Sequence, residues 1–107
     1  METGVELIRK ERQRQIDEEG YSLEDDVDLT TGSLAVVGAC YALGMAGGYS
    51  GEHASWRERY NKAARALWPW DKEDWRPTPD DPVRQLVKAG ALIAAEIDRC
   101  ATVKIIT

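Results

Sequence analysis

Histidine occurs once in the 107 residues and cysteine twice, and the chain has no CxxC pair, Walker loop or dinucleotide fingerprint. Each absence removes a class of chemistry. A lone His53, with no supported serine or cysteine beside it, leaves no nucleophile–base constellation of the triad type. One histidine without paired cysteines is also a poor zinc site, so His53 reads as a surface residue. Gly47-Gly48 is a turn and lacks the surroundings of a phosphate-cradling loop. No apolar run reaches the roughly 20 residues that a membrane-spanning helix needs. The first residues include Glu2 and Glu6 and lack the basic start of a secretory signal. Cys40 and Cys100, each within an apolar helical stretch, read as reduced core thiols and not as a disulfide framework. A cytoplasmic protein with no membrane partner is therefore expected. Its net charge of −5 argues against general nucleic-acid binding, which needs a cationic surface.

What is present reads as one all-α domain over residues 1–107, a bundle of about four helices with a Trp/Pro-rich loop before the last. Helices are expected near 3–18, 31–46, 52–67 and 81–101, separated by glycine or proline signals. Thr3 and Glu6 fit a capping box at the first start, and Asp80 or Asp81 followed by Pro82 fits the last. The stretch 80–100 organises the rest. Val83, Leu86, Val87, Gly90, Ile93, Ala94 and Ile97 recur at helical spacing there, which predicts a buried stripe with Ile93 at its centre. The second helix is apolar nearly all round, so a homodimer or larger closed assembly is expected to cover its surplus face. The tail 101–107 is β-branched and compatible with fraying, helix extension or pairing with another subunit.

Charge is unevenly spread. Residues 1–30 hold ten acids and four bases, whereas residues 51–70 hold two acids and four bases. Glu24, Asp25, Asp26 and Asp28 crowd together without the ligand ladder of an EF-hand. Such a run favours a cation, nearby basic side chains or plain solvation. Further on, Pro69, Pro77, Pro79 and Pro82 forbid a regular element where Trp68, Trp70 and Trp75 gather. Three indoles in such a loop either plug a bundle end or form a platform for a flat base.

Two arrangements could carry chemistry. In one, Glu11, Glu18, Glu19, Asp25, Asp26, Glu96 and Asp98 supply oxygen ligands for Mg²⁺, which would activate water for pyrophosphate cleavage. In the other, a nucleotide is held unchanged. An indole of Trp68, Trp70 or Trp75 stacks on the base, Arg76, Arg84 and Lys88 grip phosphate, and Glu11 or Asp26 meets the ribose or an ion. The start of the last helix adds unpaired N–H groups and a positive dipole end.

The stretches ERQRQIDEEGYSLEDD, GSLAVVGACYA, WPWDKEDWRP and LVKAGALIAAEIDR together resemble a family of small proteins encoded by phages and prophages. The likeness covers most of the chain, with residues 46–66 the freest part, and LVKAGALIAAEIDR is its most specific motif. The family is similar to the all-α MazG-like nucleotide pyrophosphohydrolases, in which helix-borne acids hold Mg²⁺. Ser33 stands in GSLA where the family pattern has GELA, which removes one candidate metal carboxylate. Phage context further suggests, by analogy, a sponge that sequesters a nucleotide or cyclic nucleotide signal of host defence inside the infected bacterial cell. The leading expectation is this sponge, which needs no cofactor and has a nucleotide-like small molecule as its partner. The alternatives are the Mg²⁺-dependent pyrophosphohydrolase and a structural or protein-interaction module.

Overall fold

The computed structural model describes residues 1–19, 32–46, 54–78 and 80–106. Among them are four α-helices and no strand, so the architecture is a small all-α bundle. The helices are α1 (Gly4–Glu19), α2 (Ser33–Ala46), α3 (Ala54–Leu67) and α4 (Pro82–Ile106), with a 3₁₀ turn at Lys72–Asp74 in the connection before α4. The expected starts at 31 and 52 lie outside the described residues. The last helix continues past the expected residue 101 to Ile106, so the β-branched tail extends it. No helix among the described residues is long and apolar enough to cross a membrane.

Local chemistry sets the helix starts. Glu6 N–H donates to Thr3 Oγ1 at 3.3 Å, which satisfies one orphan donor of α1. At α4, Arg84 N–H donates to Asp81 Oδ1 at 3.0 Å, and Pro82 occupies the first turn, where no donor is needed. The carboxylate of Asp81 thus takes the place at this helix end that sequence reasoning offered to a phosphate.

Helix α4 sits between α1 and α2, and α3 packs on the far side of α2; among the described residues, α1 packs against no other helix. Helices α2 and α4 thus share the centre, each packed against two others, and the face that α4 buries differs from the expected one. Gln85, Val87, Ala89, Ala91, Leu92 and Ala95 are buried. Ile93 and Leu86 are each 44% exposed, Val83 59% and Ile97 62%, which corrects the expectation of a buried stripe centred on Ile93.

The physical reason is helix separation. Backbones approach closely where residues are small, and the apolar bulk is then displaced to the flank. A Cβ on Gly38 of α2 would lie 3.1 Å from the backbone carbonyl oxygen of Ala89 and 3.0 Å from Ile93 Cγ1. On the other side, a Cβ on Gly90 would lie 2.6 Å from Ile8 Cδ1 of α1. Gly38→Ala gives a diagnostic sign. Inside an exposed helix this change stabilises by about 0.5–1 kcal/mol. Here the added carbon meets rigid backbone, so we expect a net loss of about 1 kcal/mol or more, as for overpacked cores. Thermal unfolding followed by circular dichroism measures it.

The buried cluster comprises Leu34, Val37 and Tyr41 from α2 with Ala89, Leu92 and Ala95 from α4. Cys40 is buried without a disulfide, and burial pushes its thiol pKa up. Cys100 is exposed, which corrects its expected place in the core.

Candidate functional site

The segment 68–78 closes one end of the bundle through its aromatic rings. Trp75 stacks on Tyr41, with centroids 4.9 Å apart and planes 28° from parallel. Trp68 meets Tyr41 edge-on at 5.8 Å and Trp75 at 4.8 Å, and Trp70 meets Trp68 edge-on at 5.9 Å. All three indoles are partly buried against the central cluster. Trp68 Nε1–H also donates to the Asp71 carbonyl at 2.9 Å, so its polar end is satisfied within the segment.

Gln85 pins this segment to the helices. It is 1% exposed, and its Nε2–H donates to the Tyr41 carbonyl at 3.1 Å. Its Oε1 accepts from Thr78 N–H at 2.7 Å and from Thr78 Oγ1 at 3.1 Å. Tyr41 Oη completes the join by accepting from Arg76 N–H at 3.2 Å. A proline-punctuated stretch with no regular ladder is thereby held by side chains of α2 and α4.

Beside this seal lies a cavity of about 380 Å³, lined by Glu11, Arg14 and Gln15 of α1, Tyr41 of α2, Asp74 and Arg76 of the connecting segment, and Arg84, Lys88 and Leu92 of α4. Its volume falls within the roughly 300–1,000 Å³ of small-molecule sites. Four basic and two acidic side chains face it, an excess of positive charge on a chain whose net charge is −5. Lys88 reaches across it, with Nζ donating to the Arg76 carbonyl at 3.0 Å and lying 5.8 Å from the centre of the Tyr41 ring.

Glu11 is the hub of the cavity wall. Its side chain is 1% exposed although it stands on a charged helix. Oε1 accepts from Arg84 at 2.6 Å and from Arg14 Nε at 2.8 Å, while Oε2 accepts from Arg14 at 2.8 Å and from Gln15 Nε2 at 3.2 Å. Burial raises the pKa of this carboxyl, but the hydrogen bonds and charges of Arg14 and Arg84 outweigh it and hold the group below the ordinary glutamate range. With both oxygens doubly engaged, Glu11 orients the guanidinium groups of the cavity and has little capacity left for a ribose or an ion.

Of the residues singled out from sequence, Glu11, Arg76, Arg84 and Lys88 come together around one cavity. Trp68, Trp70 and Trp75 do not line it; they support Tyr41, the aromatic ring that does. Asp26 lies outside the described residues, as do Asp25 and the acidic loop around them. Of the other carboxylates expected to hold Mg²⁺, three are paired with arginine: Glu18 with Arg14 at 3.2 Å, Glu96 with Arg99, and Asp98 with Arg12 at 3.8 Å; the Glu19 side chain lies outside the described residues. Among the described residues, no three histidine, cysteine or acidic side chains lie together as a metal site would need.

Arg14, Gln15, Tyr41 and Asp74 were missed from sequence. For α1 a signal existed: Leu7, Glu11, Arg14 and Glu18 repeat at four- and three-residue spacing, the period of one helix face. Their charge made that face look solvated. Tyr41 and Asp74 are 33 residues apart, and no local pattern relates them. No protein-family model, curated protein or solved structure matches the chain.

Proposed function

We propose that the chain is a non-catalytic binding protein that retains a nucleotide or cyclic nucleotide by its phosphate and so lowers the free level of a host-defence signal. The observation that carries this reading is the gathering of Arg14, Arg76, Arg84 and Lys88 around one cavity, with Arg14 and Arg84 oriented by the buried Glu11. Guanidinium groups fixed in this way recognise phosphate oxygens with little ordering cost, and Tyr41 borders the same cavity. Binding without hydrolysis is favoured because, among the described residues, Glu11, Glu18, Glu96 and Asp98 each pair with arginine and no three acidic side chains gather.

The test incubates the protein with linear and cyclic nucleotides and Mg²⁺, then denatures it and identifies what is released. Intact ligand supports the sponge. Pyrophosphate or monophosphate identifies an enzyme, and no retained ligand points to an interaction module. The double variant Arg84→Ala/Lys88→Ala leaves Glu11 with Arg14 and Gln15, so its fold is checked by circular dichroism; when folded it is expected to lose roughly tenfold or more in affinity, the scale of lost charge-assisted phosphate contacts. Unchanged affinity in a folded double variant places the site elsewhere.

A second copy of the chain is the proposed protein partner. On α4, Leu86, Ile93 and Ile97 lie about 160° around the helix from Lys88, by the 100° advance per residue. They form an exposed apolar row on the side away from the cavity. Pairing this row with its twin about a two-fold axis would cover both copies and leave both cavities open. In light scattering, the Leu86→Asp/Ile97→Asp variant is expected to be monomeric and the unmodified chain dimeric. Monomeric behaviour of the unmodified chain across a wide concentration range removes this part of the reading.

A further inference from the structure

A second cavity, of about 320 Å³, adjoins the first. Glu11, Arg14 and Arg84 line both, so their ion-paired cluster is the wall that the two cavities share. The rest of the second lining differs in kind. Leu7 of α1 with Val83 and Val87 of α4 give it three aliphatic side chains, where the first cavity has Leu92 alone among the described residues. Val87 is 9% exposed and Val83 59%, so this apolar surface runs from the packed helices out to solvent. The two remaining charged residues are already engaged. Lys10 pairs with Glu2 at 2.5 Å, and Asp81 accepts the Arg84 N–H at 3.0 Å. The second cavity is thus a poor phosphate site and a better place for an uncharged group with apolar faces.

We propose that the groove of Leu7, Val83 and Val87 holds the nucleoside end of a ligand whose phosphate lies on Arg14 and Arg84. This rests on the first cavity being a phosphate site. The two arginines make the link. Their side chains are 30% and 36% exposed and border both cavities, so a phosphate held on one side brings the rest of the ligand within reach of the other. A nucleotide suits such a pair of sites, since one end is anionic and the other is a flat ring with weakly hydrated faces. Aliphatic side chains against those faces remove apolar surface from water without reading the edges of the base. The ligand class that follows is a nucleoside phosphate, in preference to an inorganic phosphate.

The experiment measures equilibrium binding to the unmodified chain, to Val83→Ser and to Leu7→Ser. The probes are the four ribonucleoside triphosphates, cyclic AMP, cyclic GMP, inorganic phosphate and inorganic triphosphate, compared at equal phosphate number. Inorganic triphosphate carries at least the charge of a nucleoside triphosphate, so a site that senses charge alone binds it as tightly or more tightly. The unmodified chain is expected to favour at least one nucleotide over its inorganic counterpart by roughly tenfold, the worth of about two buried methylene groups. Each variant is expected to weaken that nucleotide roughly fourfold, the worth of about one methylene, and to leave the inorganic phosphates unchanged. Val83→Ser carries the test if Leu7→Ser does not fold, because Val83 is largely exposed. Equal affinity for inorganic triphosphate and every nucleoside triphosphate, with the cyclic nucleotides no tighter than inorganic phosphate, overturns the groove assignment and leaves the phosphate site standing. A nucleotide preference that neither variant changes also overturns it, since the base then lies elsewhere. So does an equal loss of nucleotide and inorganic phosphate, which would mean that the variants act through Arg84. Absence of binding for every probe defeats the phosphate reading and this inference with it.

Discussion

Glu11→Ala is expected to lower the melting temperature by roughly 10–20 °C, taking about 4–8 °C per kcal/mol for a domain of this size. The change strands three partners at once. The guanidinium groups of Arg14 and Arg84 lose their common counter-charge, and Gln15 Nε2 loses its acceptor. Removing one member of a buried ion pair costs about 3–5 kcal/mol. The arginine side chains are 30% and 36% exposed and regain some hydration, which lowers the expected figure to about 2–3 kcal/mol. The same residue makes stability depend on acid. Its carboxyl is held below its ordinary pKa in the folded chain, so the Glu11 contribution is complete at neutral pH. It is lost as pH falls through the folded value. Thermal melts between pH 7 and pH 3 should therefore decline less steeply for Glu11→Gln than for the unmodified chain, and parallel profiles would show that Glu11 is not paired as described.

Gln85→Leu is the second change with a large expected effect. Leucine keeps the buried volume but removes both ends of a side chain that ties α4 to α2 and to the segment before it. Thr78 loses an acceptor for its N–H and hydroxyl, and the Tyr41 carbonyl loses a donor. Each polar group left unpaired away from water costs about 1–3 kcal/mol, so we expect a loss of about 2–4 kcal/mol in total. The effect should also reach the cavity, because Thr78 anchors the backbone that carries Arg76. Tryptophan fluorescence reports it: with the segment released, Trp75 leaves its stacked position on Tyr41 and its emission moves toward that of hydrated indole. An unshifted spectrum and an unchanged melting temperature would mean that Gln85 is not the anchor.

The candidate site was legible in part. Arg84 and Lys88 stand one turn apart near the start of α4, and Arg76 precedes them across a proline-rich stretch, so sequence spacing alone relates them. Glu11 was noticed as an acid and not as a buried hub, because burial of a charge depends on the arginines that two different helices bring to it. The indoles left two readings open for a related reason. Their crowding between prolines marks an aromatic cluster, but whether rings face a ligand or a core is decided by what lies beneath them, here Tyr41 and the α2–α4 contact.

The sequence by itself determined the features whose causes are local. Helix periodicity, the Thr3 and Asp81 caps, and the proline barrier between α3 and α4 act within a few residues, and the helices form where those signals lie. The direction each helix faces was decided by tertiary structure. The apolar stripe of α4 offers two solutions, one burying Leu86, Ile93 and Ile97 and one burying Ala89, Ala91, Leu92 and Ala95. The second prevails because Gly38 lets α2 approach the α4 backbone and Gly90 admits the Ile8 side chain of α1, and neither contact leaves room for a larger residue at the glycine. That rotation carries Arg84, Lys88 and Leu92 to the cavity that α1 and Tyr41 complete, and leaves the larger aliphatic side chains outside.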